Sequence, residues 1–404
     1  CTLMGVPYAQ QLAAKDSECR AALAAWPRIE WSAPFVSEES HFRNKAKLVV
    51  SGTTQAPTLG ILGPDGEGVD LRECGLYETE IIDVLPHFAA FITEAGLTPY
   101  DVASDTGELK YLLVTCSPHG ELMLRFVLRS TAELFSLRGH LESLHRAIPN
   151  LTVVSANLQP ERKAVIEGST EIHLAGEMRL PMTVGPVNLF LPPRSFFQTN
   201  SEVAGALYLQ ARHWLDDIAE ERGLSPSVME LFDDDDDPDD DELVIWDLYC
   251  GVGGFALSVV GISRHVTGVE VSEDAIDGAR DAAELVREMS PRLWPVRFLA
   301  GDALEYAQAA VDHPHVVIVN PPRLWLRELA ELLESSLLEY VLYSPRNVTS
   351  LVKDLEAMPS LVPMKARMFD MFPQTSHCEV MVLLRRQWET PPQLSDARSA
   401  RGRR

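Results

Sequence analysis

The C-terminal half of the chain alternates short apolar stretches with helical patterns, and this alternation constrains the fold more than any other feature. An apolar stretch at 243–248 ends in the glycine-rich turn at 251–254. Helical patterns at 274–289 and 326–338 then lie between further strand-like stretches, which are 266–269, 296–299, 316–319, 340–343 and 379–384. Strands that alternate with helices predict a doubly wound parallel sheet, so we expect a Rossmann-like α/β domain.

The preceding part of the chain has a different pattern. Short apolar runs at 46–51, 111–115 and 122–128 are separated by Gly, Pro and Asp, which predicts an α+β domain with an antiparallel sheet. We therefore divide the chain into an α+β domain, a Rossmann-like domain with an acidic insertion and a basic tail, at 1–189, 190–390 (insertion 232–242) and 391–404.

The chain is strongly acidic, with a net charge of −24. The run at 233–242 carries nine acidic residues, and removing them brings the charge from −24 to −15. A disordered, self-repelling loop is the preferred interpretation of this run, with repulsion of phosphate or mimicry of a nucleic-acid strand as the alternative. Binding to nucleic acid would therefore need local basic patches. The candidates are Arg43 with Lys45 and Lys47, Arg125 with Arg129, and the tail from 398 to 404.

Composition also predicts where the protein works. No apolar run approaches the roughly 20 residues that span a bilayer, and no basic and apolar leader opens the chain. The six cysteines are scattered rather than densely spaced, which fits a reducing compartment. We expect a cytoplasmic protein with no membrane contact.

The glycine-rich turn predicts a cofactor site. Gly251 follows a buried strand, and Glu270 ends the next strand about 20 residues later, where a carboxylate can bind a ribose diol. Dinucleotide-binding proteins use the same arrangement, but the glycines here lack the Gly-x-Gly-x-x-Gly spacing. Asp302 follows a third strand, where it would contact adenine or, alternatively, cap the next helix.

Four segments together resemble the RNA uracil-C5 methyltransferases, most closely the bacterial 23S ribosomal RNA branch of the RlmC type. They are residues 195–200, 247–254, 343–347 and 370–379. The resemblance implies an S-adenosylmethionine-dependent methyltransferase domain preceded by an α+β domain that binds RNA and an iron–sulfur cluster. It also implies that the cofactor contacts Gln198, Tyr249, Glu270 and Asn320.

The same resemblance assigns the chemistry. Carbon 5 of uracil is a weak nucleophile, so family members add a cysteine thiolate to carbon 6 and later remove the carbon 5 proton with a base. Glu379 matches that base, but Arg346 occupies the position of the nucleophile. A guanidinium stays protonated and cannot attack carbon 6.

Three explanations of Arg346 remain open. The protein has lost catalysis and kept binding, another thiol substitutes, or the sequence is in error at the motif. Cys378 is the candidate substitute because it precedes Glu379. However, neighbouring strand residues point to opposite faces, so a structural role for Cys378 is the preferred interpretation.

Family members of this branch also hold a [4Fe-4S] cluster on four cysteines. Cys1 resembles the third of these ligands and Cys74 the fourth, so we expect the first two to lie upstream of Cys1. Cys19 does not fit the spacing. Residues 42–47 resemble the segment that follows the cluster. They form either an RNA-binding strand or a solvated edge strand protected by lysine. We expect a monomer that methylates a uridine of 23S ribosomal RNA. An inactive RNA-binding homologue and a transfer RNA methyltransferase are the alternatives.

Overall fold

The computed structural model describes residues 1–162, 165–224, 242–290, 296–310, 313–321, 326–345 and 347–388. Most of the acidic insertion, the basic tail and Arg346 lie outside these residues. Within them, the chain forms two large sheets and a hairpin. No helix in this part of the chain is both long and apolar enough to cross a membrane.

The first sheet has the strand order β4-β3-β2-β5-β6-β7-β8. Its strands are β2 (Lys45–Thr53), β3 (Ala56–Leu62), β4 (Gly68–Asp70), β5 (Leu109–Cys116), β6 (Leu122–Leu128), β7 (Leu151–Leu158) and β8 (Thr170–Gly176). Helices α2 (Thr79–Glu94) and α3 (Leu134–Ala147) share an apolar core with this sheet.

The expectation of a purely antiparallel first sheet is wrong at one pair. Strands β6 and β7 are parallel because helix α3 connects them as a crossover. The remaining neighbours in the sheet are antiparallel. Strand β2 lies between β3 and β5, but its pairing with β3 begins at Val49, whereas Lys45 and Lys47 pair with β5. Both interpretations of residues 42–47, an RNA-binding strand and an edge strand protected by lysine, therefore stay predictions.

The second sheet has the order β1-β16-β17-β15-β14-β11-β12-β13. Its strands are β1 (Glu30–Trp31), β11 (Leu243–Leu248), β12 (Arg264–Glu270), β13 (Arg297–Ala300), β14 (Val316–Val319), β15 (Tyr340–Tyr343), β16 (Leu361–Phe369) and β17 (Glu379–Arg386). Strands β13, β12, β11, β14 and β15 are parallel, as predicted. Strand β17 runs antiparallel to β15 and β16, which corrects the expectation of an all-parallel sheet.

Helices cover both faces of the second sheet, as in other doubly wound folds. One face packs against α4 (Ser201–Glu221), α5 (Gly254–Ser258), α6 (Glu273–Met289) and the hairpin of β9 (Leu180–Val184) and β10 (Val187–Leu191). The other face packs against α1 (Tyr8–Ala22), α7 (Ala303–Ala309), α8 (Leu326–Ser335) and α9 (Val348–Ala357).

The N-terminal segment departs from the predicted division of the chain. Helix α1 packs with the core of the second sheet, and β1 pairs with β16, although residues 1–189 were expected to form the first domain. The buried positions of α1 are Gln11, Lys15 and Cys19. Because two of these are polar, the helix has no apolar periodicity that would have revealed where it packs.

Candidate active site

Several residues predicted from the sequence to bind the cofactor lie at one edge of the second sheet, together with Ser344, which was not predicted. Tyr249, Glu270, Asn320 and Ser344 each follow or end a parallel strand, so these residues lie at the carboxyl edge. Ligands bind at this edge in doubly wound folds. Gln198, Tyr249, Gly251 and Asn320 line one cleft there, together with Phe196, Phe197, Tyr208, Cys250, Val252, Gly254 and Phe255.

The turn after β11 is held in an unusual backbone conformation. Tyr249 has a φ of 65°, and Gly251 and Gly253 have φ of 55° and 84°. A left-handed conformation at a non-glycine residue costs free energy and is concentrated at ligand-binding sites. A Cβ atom on Gly253 would lie 2.6 Å from the ring of Phe298, so only glycine fits there.

The buried side chain of Asp247 stabilises the turn after β11. The Oδ2 atom of Asp247 accepts a hydrogen bond from the backbone N–H of Ala256 at 2.9 Å. Burial raises the pKa of Asp247 to about 8, since a charged carboxylate is costly away from water and Glu270 adds repulsion. Asp247 therefore connects the end of β11 to helix α5.

Glu270 and Asp302, the two acidic residues predicted to bind the nucleoside, accept different backbone hydrogen bonds. Glu270 accepts hydrogen bonds from the N–H groups of Gly251 at 3.3 Å and Ser272 at 3.0 Å. Asp302 caps α7 through Oδ1, which accepts from the N–H groups of Leu304 and Glu305. The cap was one of the two roles considered for Asp302, and it uses a single carboxylate oxygen, so it is compatible with binding through the other oxygen.

A segment from the first half of the chain positions Gln198. The Nδ2 atom of Asn44 donates to the carbonyl of Gln198 at 2.9 Å and to Ser201 Oγ at 2.8 Å. Asn200 caps α4 through Val203 N–H and donates to Ser37 Oγ at 2.7 Å. Asn44 is only 1% exposed, so residues 42–44 act here as a buried support for the Gln198 loop.

Glu379 lies at the same edge because β17 is antiparallel. Since β17 runs against the parallel strands, its first residue lies where they end. Glu379 is 1% exposed, and its Oε1 atom is 3.4 Å from Gln198 Nε2 and 3.5 Å from Ser344 Oγ. The structure thus brings the predicted base into contact with a predicted cofactor residue that is 181 positions away in the sequence.

Cys378 has a different neighbour. Its Sγ atom lies 3.5 Å from Sγ of Cys19 on helix α1. This contact attaches Cys378 to helix α1. It also gives Cys19, which fitted no expected pattern, a partner.

The predicted cluster ligands lie in the N-terminal half of the chain. Cys1 is exposed, and Cys74 is half-buried in a turn against the core of the first sheet. The remaining cysteines lie elsewhere: Cys19 and Cys378 contact each other, Cys116 is in the core of the first sheet, and Cys250 lies in the glycine-rich turn. Within the described residues, the thiols therefore supply at most the two predicted ligands, Cys1 and Cys74, of the four that a [4Fe-4S] cluster requires.

One predicted basic patch is wrong. Arg125 is 1% exposed and forms ion pairs with Glu167 at 2.7 Å and Glu171 at 2.6 Å, so its charge is used inside the protein. Lys45 is also buried, and desolvation, aided by Lys47, lowers its pKa to about 8. Lys47 remains half-exposed on the same strand.

Three contributors to the site were not predicted as site residues. Asp247, Ser344 and Asn44 have roles that depend on contacts made after folding. Asp247 and Ser344 lie at or next to strand ends, within two of the segments that carry the family resemblance. A polar residue at a strand end is the sequence feature that could have identified them as site residues. Asn44 gave no such signal because its partners are about 155 residues away in the sequence.

The sequence of this chain is similar to those of known RNA methyltransferases over almost its whole length. The 23S rRNA (uracil(747)-C(5))-methyltransferase RlmC of Yersinia pestis (strain Pestoides F) is 41% identical over 386 residues, which cover 95% of this chain and 96% of that protein. The RlmC of Yersinia pseudotuberculosis serotype I (strain IP32953) is 42% identical over the same length. No family model matches the chain.

A solved structure has the same fold. The Pyrococcus abyssi tRNA (uracil-54, C5)-methyltransferase, in complex with S-adenosyl-L-homocysteine, superimposes with a TM-score of 0.73 at 21% identity. The match covers 95% of this chain and 85% of that one, which confirms the α/β methyltransferase fold. Together with 41% identity to RlmC over nearly the whole length, this shows that the chain belongs to the RNA (uracil-C5)-methyltransferase family.

Proposed function

We propose that this protein is an S-adenosylmethionine-dependent methyltransferase that converts a uridine of 23S ribosomal RNA to 5-methyluridine. The observation that carries the proposal is the contact of buried Glu379 with Gln198 and Ser344 at the edge where the glycine-rich turn lies. The relatives named for activity on 23S rRNA support the choice of substrate.

The residues at this edge fit S-adenosylmethionine. Glu270 has the position to bind the ribose hydroxyls, and its bond to Gly251 N–H holds the carboxylate against the turn. A Cβ atom at Gly251 would meet nothing within 4 Å, so the turn leaves open space for a ligand. In this proposal Gln198 contacts the methionine part, Asp302 the adenine, and Tyr249 and Asn320 complete the cleft. The bound cofactor supplies an electrophilic methyl group.

Glu379 is proposed as the general base that removes the proton from carbon 5 after methyl transfer. A base must lie close to the proton that it removes. Glu379 contacts Gln198, which in this proposal binds the methionine end of the cofactor, so the base would lie near the transferred methyl group. Burial keeps water away from this carboxylate. Hydrogen bonds from Gln198 and Ser344 orient it.

A second candidate function follows from Arg346. Without a thiolate at this position, carbon 6 of uracil has no nucleophile from the family motif, which favours a homologue that binds RNA and cofactor without methylating. Arg346 lies outside the described residues, so the alternative rests on its chemistry alone.

The test is methyl transfer from labelled S-adenosylmethionine to unmodified 23S ribosomal RNA, with 5-methyluridine identified by mass spectrometry at the nucleotide equivalent to uracil 747. Wild type, Arg346→Cys and Arg346→Ala are compared. Product from the wild type supports the enzyme. If Arg346→Cys gives product while the wild type and Arg346→Ala give none, the natural chain is an inactive homologue that only binds.

Two further variants and substrates complete this test. If the wild type is active, Cys378→Ser decides whether that thiol substitutes for the missing nucleophile, because loss of product with intact cofactor binding would implicate it. Transfer RNA serves as the competing substrate. Methylation of transfer RNA in preference to 23S ribosomal RNA would contradict the proposed target.

We also propose that Cys1 and Cys74 are two of the four ligands of a [4Fe-4S] cluster, and we assign no step of the reaction to it. Anaerobic reconstitution followed by iron and sulfide analysis tests this assignment, with Cys116→Ser as the matched control for Cys74→Ser. Equal iron content in wild type and Cys74→Ser would contradict it. A monomer in the cytoplasm remains our prediction.

A further inference from the structure

One face of helix α1 is attached to the segment that leads into β17. Gln11, Lys15 and Cys19 are spaced four residues apart, so they lie on one face of the helix, and all three are buried. Gln11 Nε2 donates to Gln374 Oε1 at 3.0 Å, and Lys15 Nζ donates to Asp370 Oδ1 at 2.6 Å. Helix α1 is therefore fixed against residues 370–378 by polar contacts.

The third position of this face is a thiol that meets another thiol. The sulfur atoms of Cys19 and Cys378 are 3.5 Å apart, which is hydrogen-bond distance for two thiols, and both cysteines are free. A disulfide has an S–S distance of about 2.05 Å, so the two atoms need to approach by roughly 1.5 Å. Small side-chain rotations supply such a change more easily than movement of a helix does.

The two thiols differ in access to solvent. Cys19 is completely buried, whereas Cys378 is half-buried immediately before β17. A small oxidant can therefore reach Cys378, and Cys19 is already positioned behind it. This arrangement of one accessible thiol and one adjacent thiol is typical of cysteine pairs that react with peroxides.

We propose that Cys19 and Cys378 form a reversible intramolecular disulfide when the protein meets hydrogen peroxide. The thiolate of Cys378 attacks one peroxide oxygen, the O–O bond breaks, and hydroxide leaves as a sulfenic acid forms. The Cys19 sulfur then attacks the sulfenic sulfur, the S–O bond breaks, and water leaves. The thiols lose two electrons in total, and the peroxide gains them.

The electrostatic surroundings agree with this order of reaction. The hydrogen bond from Cys19, with a smaller contribution from the charge of Lys15, lowers the pKa of Cys378, against the effects of burial, Asp370 and Glu18. The same hydrogen bond, together with burial, raises the pKa of Cys19. The thiolate is the reactive form, so Cys378 reacts first and Cys19 completes the bond.

The position of the pair gives this modification a consequence for the site. Cys378 immediately precedes Glu379, whose carboxylate contacts Gln198 and Ser344. A disulfide would covalently fix that part of the chain to helix α1. The inference goes beyond the proposed function, and its main readout is independent of methyl transfer.

The experiment treats the full chain with one equivalent of hydrogen peroxide, blocks free thiols, and digests with trypsin without reductant. We expect peptide 16–20 linked to peptide 368–385 in the mass spectrum, and loss of this species after dithiothreitol. Cys19→Ser should abolish the linked species. Cys116→Ser, which removes a buried cysteine of the first sheet, should retain it.

Mixing isotope-labelled and unlabelled protein before oxidation distinguishes bonds within one molecule from bonds between two. Linked species with one labelled and one unlabelled half would overturn the proposal, as would oxidation of wild-type Cys378 to sulfinic acid without any linked peptide. A rise in melting temperature on oxidation, reversed by dithiothreitol and absent in Cys19→Ser, would support it independently. Because the wild type alone can fail the test, the result does not depend on whether a variant folds.

Discussion

At the scale of single residues, the site combines carboxylates that the fold holds in different surroundings. Glu270 and Asp302 accept backbone hydrogen bonds at strand ends and helix caps. Asp247 is buried below the glycine-rich turn, and Glu379 is buried beside Gln198. Their positions, more than their residue type, separate a structural carboxylate from a proposed catalytic one.

Glu379→Gln tests the proposed base. Removal of a general base typically costs about 100-fold to 10,000-fold in rate, so we expect methyl transfer, measured in whichever of wild type or Arg346→Cys is active, to fall by this factor. Cofactor affinity should stay nearly unchanged because the amide preserves the shape of the side chain. The matched control is Glu142→Gln on the exposed surface of α3. Unchanged turnover in Glu379→Gln would remove Glu379 from the mechanism.

Asp247→Asn tests the effect of burial on stability. The pKa of Asp247 is raised from 3.8 to about 8 in the folded protein, so between these values the folded state keeps a proton that the unfolded chain has lost. The free energy of unfolding therefore falls as pH rises through this window, by at most about 1.4 kcal/mol per pH unit from this group. Asn keeps the oxygen that accepts the Ala256 bond and does not titrate.

The check is the melting temperature of wild type and of Asp247→Asn, measured between pH 4.5 and 8 in steps of roughly one pH unit. We expect the melting temperature of the variant to rise relative to that of the wild type as pH rises. Burial also raises the pKa of Glu78, to about 7, so this group titrates in the same range. Because both proteins contain Glu78, subtracting one curve from the other removes its contribution. Parallel curves would show that Asp247 ionises normally in the folded state.

At the scale of elements, helix α1 and strand β17 decide the geometry around the site. Strand β17 brings Glu379 to the carboxyl edge because it runs antiparallel to its neighbour β15. Helix α1 packs against the residues that precede β17 and holds them through Lys15 and Gln11. An N-terminal helix therefore supports a C-terminal segment of the active site.

Lys15→Met tests this support. The Lys15–Asp370 ion pair is almost fully buried, with side chains 2% and 0% exposed. Removing only the lysine leaves a buried carboxylate without its cation, so we expect a loss of about 3 to 5 kcal/mol in the free energy of unfolding. Urea denaturation measures this loss.

The double variant Lys15→Met with Asp370→Asn should recover part of that stability because the uncompensated charge is gone. The exposed pair Arg146–Glu142 provides the control, and Arg146→Met should have little effect. If the double variant is less stable than Lys15→Met by the full effect of Asp370→Asn alone, the pair is not energetically coupled.

At the scale of the whole molecule, the net charge of −24 opposes the approach of RNA. The basic side chains of the first sheet do not fully compensate, since Arg125 is neutralised by Glu167 and Glu171. Binding must therefore depend on local contacts such as those of Lys47 and the predicted basic tail. The acidic run at 233–242 contributes nine of the acidic groups to the overall field.

Replacing these nine residues with Ser and Asn should accelerate association with RNA at low salt, by about 10-fold. The reason is the change in net charge from −24 to −15. Salt screens this interaction, so the difference should shrink as ionic strength rises. Stopped-flow binding of a labelled RNA fragment measures it, with cofactor affinity as the control. Equal rates at low salt would show that the run does not influence RNA approach.

Much of the second domain could be predicted because local patterns carry it. Strands β11, β14 and β15 have the predicted bounds, since buried parallel strands read as continuous apolar runs. The hairpin of β9 and β10 and strand β16 escaped prediction, and so did the packing of α1. Their positions depend on contacts with distant residues, which sequence periodicity does not record.

The sequence by itself determined the strand and helix alternation, the glycine-rich turn and the residue types available for catalysis, because these depend on neighbours within a few positions. Tertiary structure decided that β17 is antiparallel, that Asn44 supports Gln198 and that Cys19 meets Cys378. Those pairs are 154 and 359 residues apart, so their proximity comes from the packing of complete sheets and helices and from no local preference.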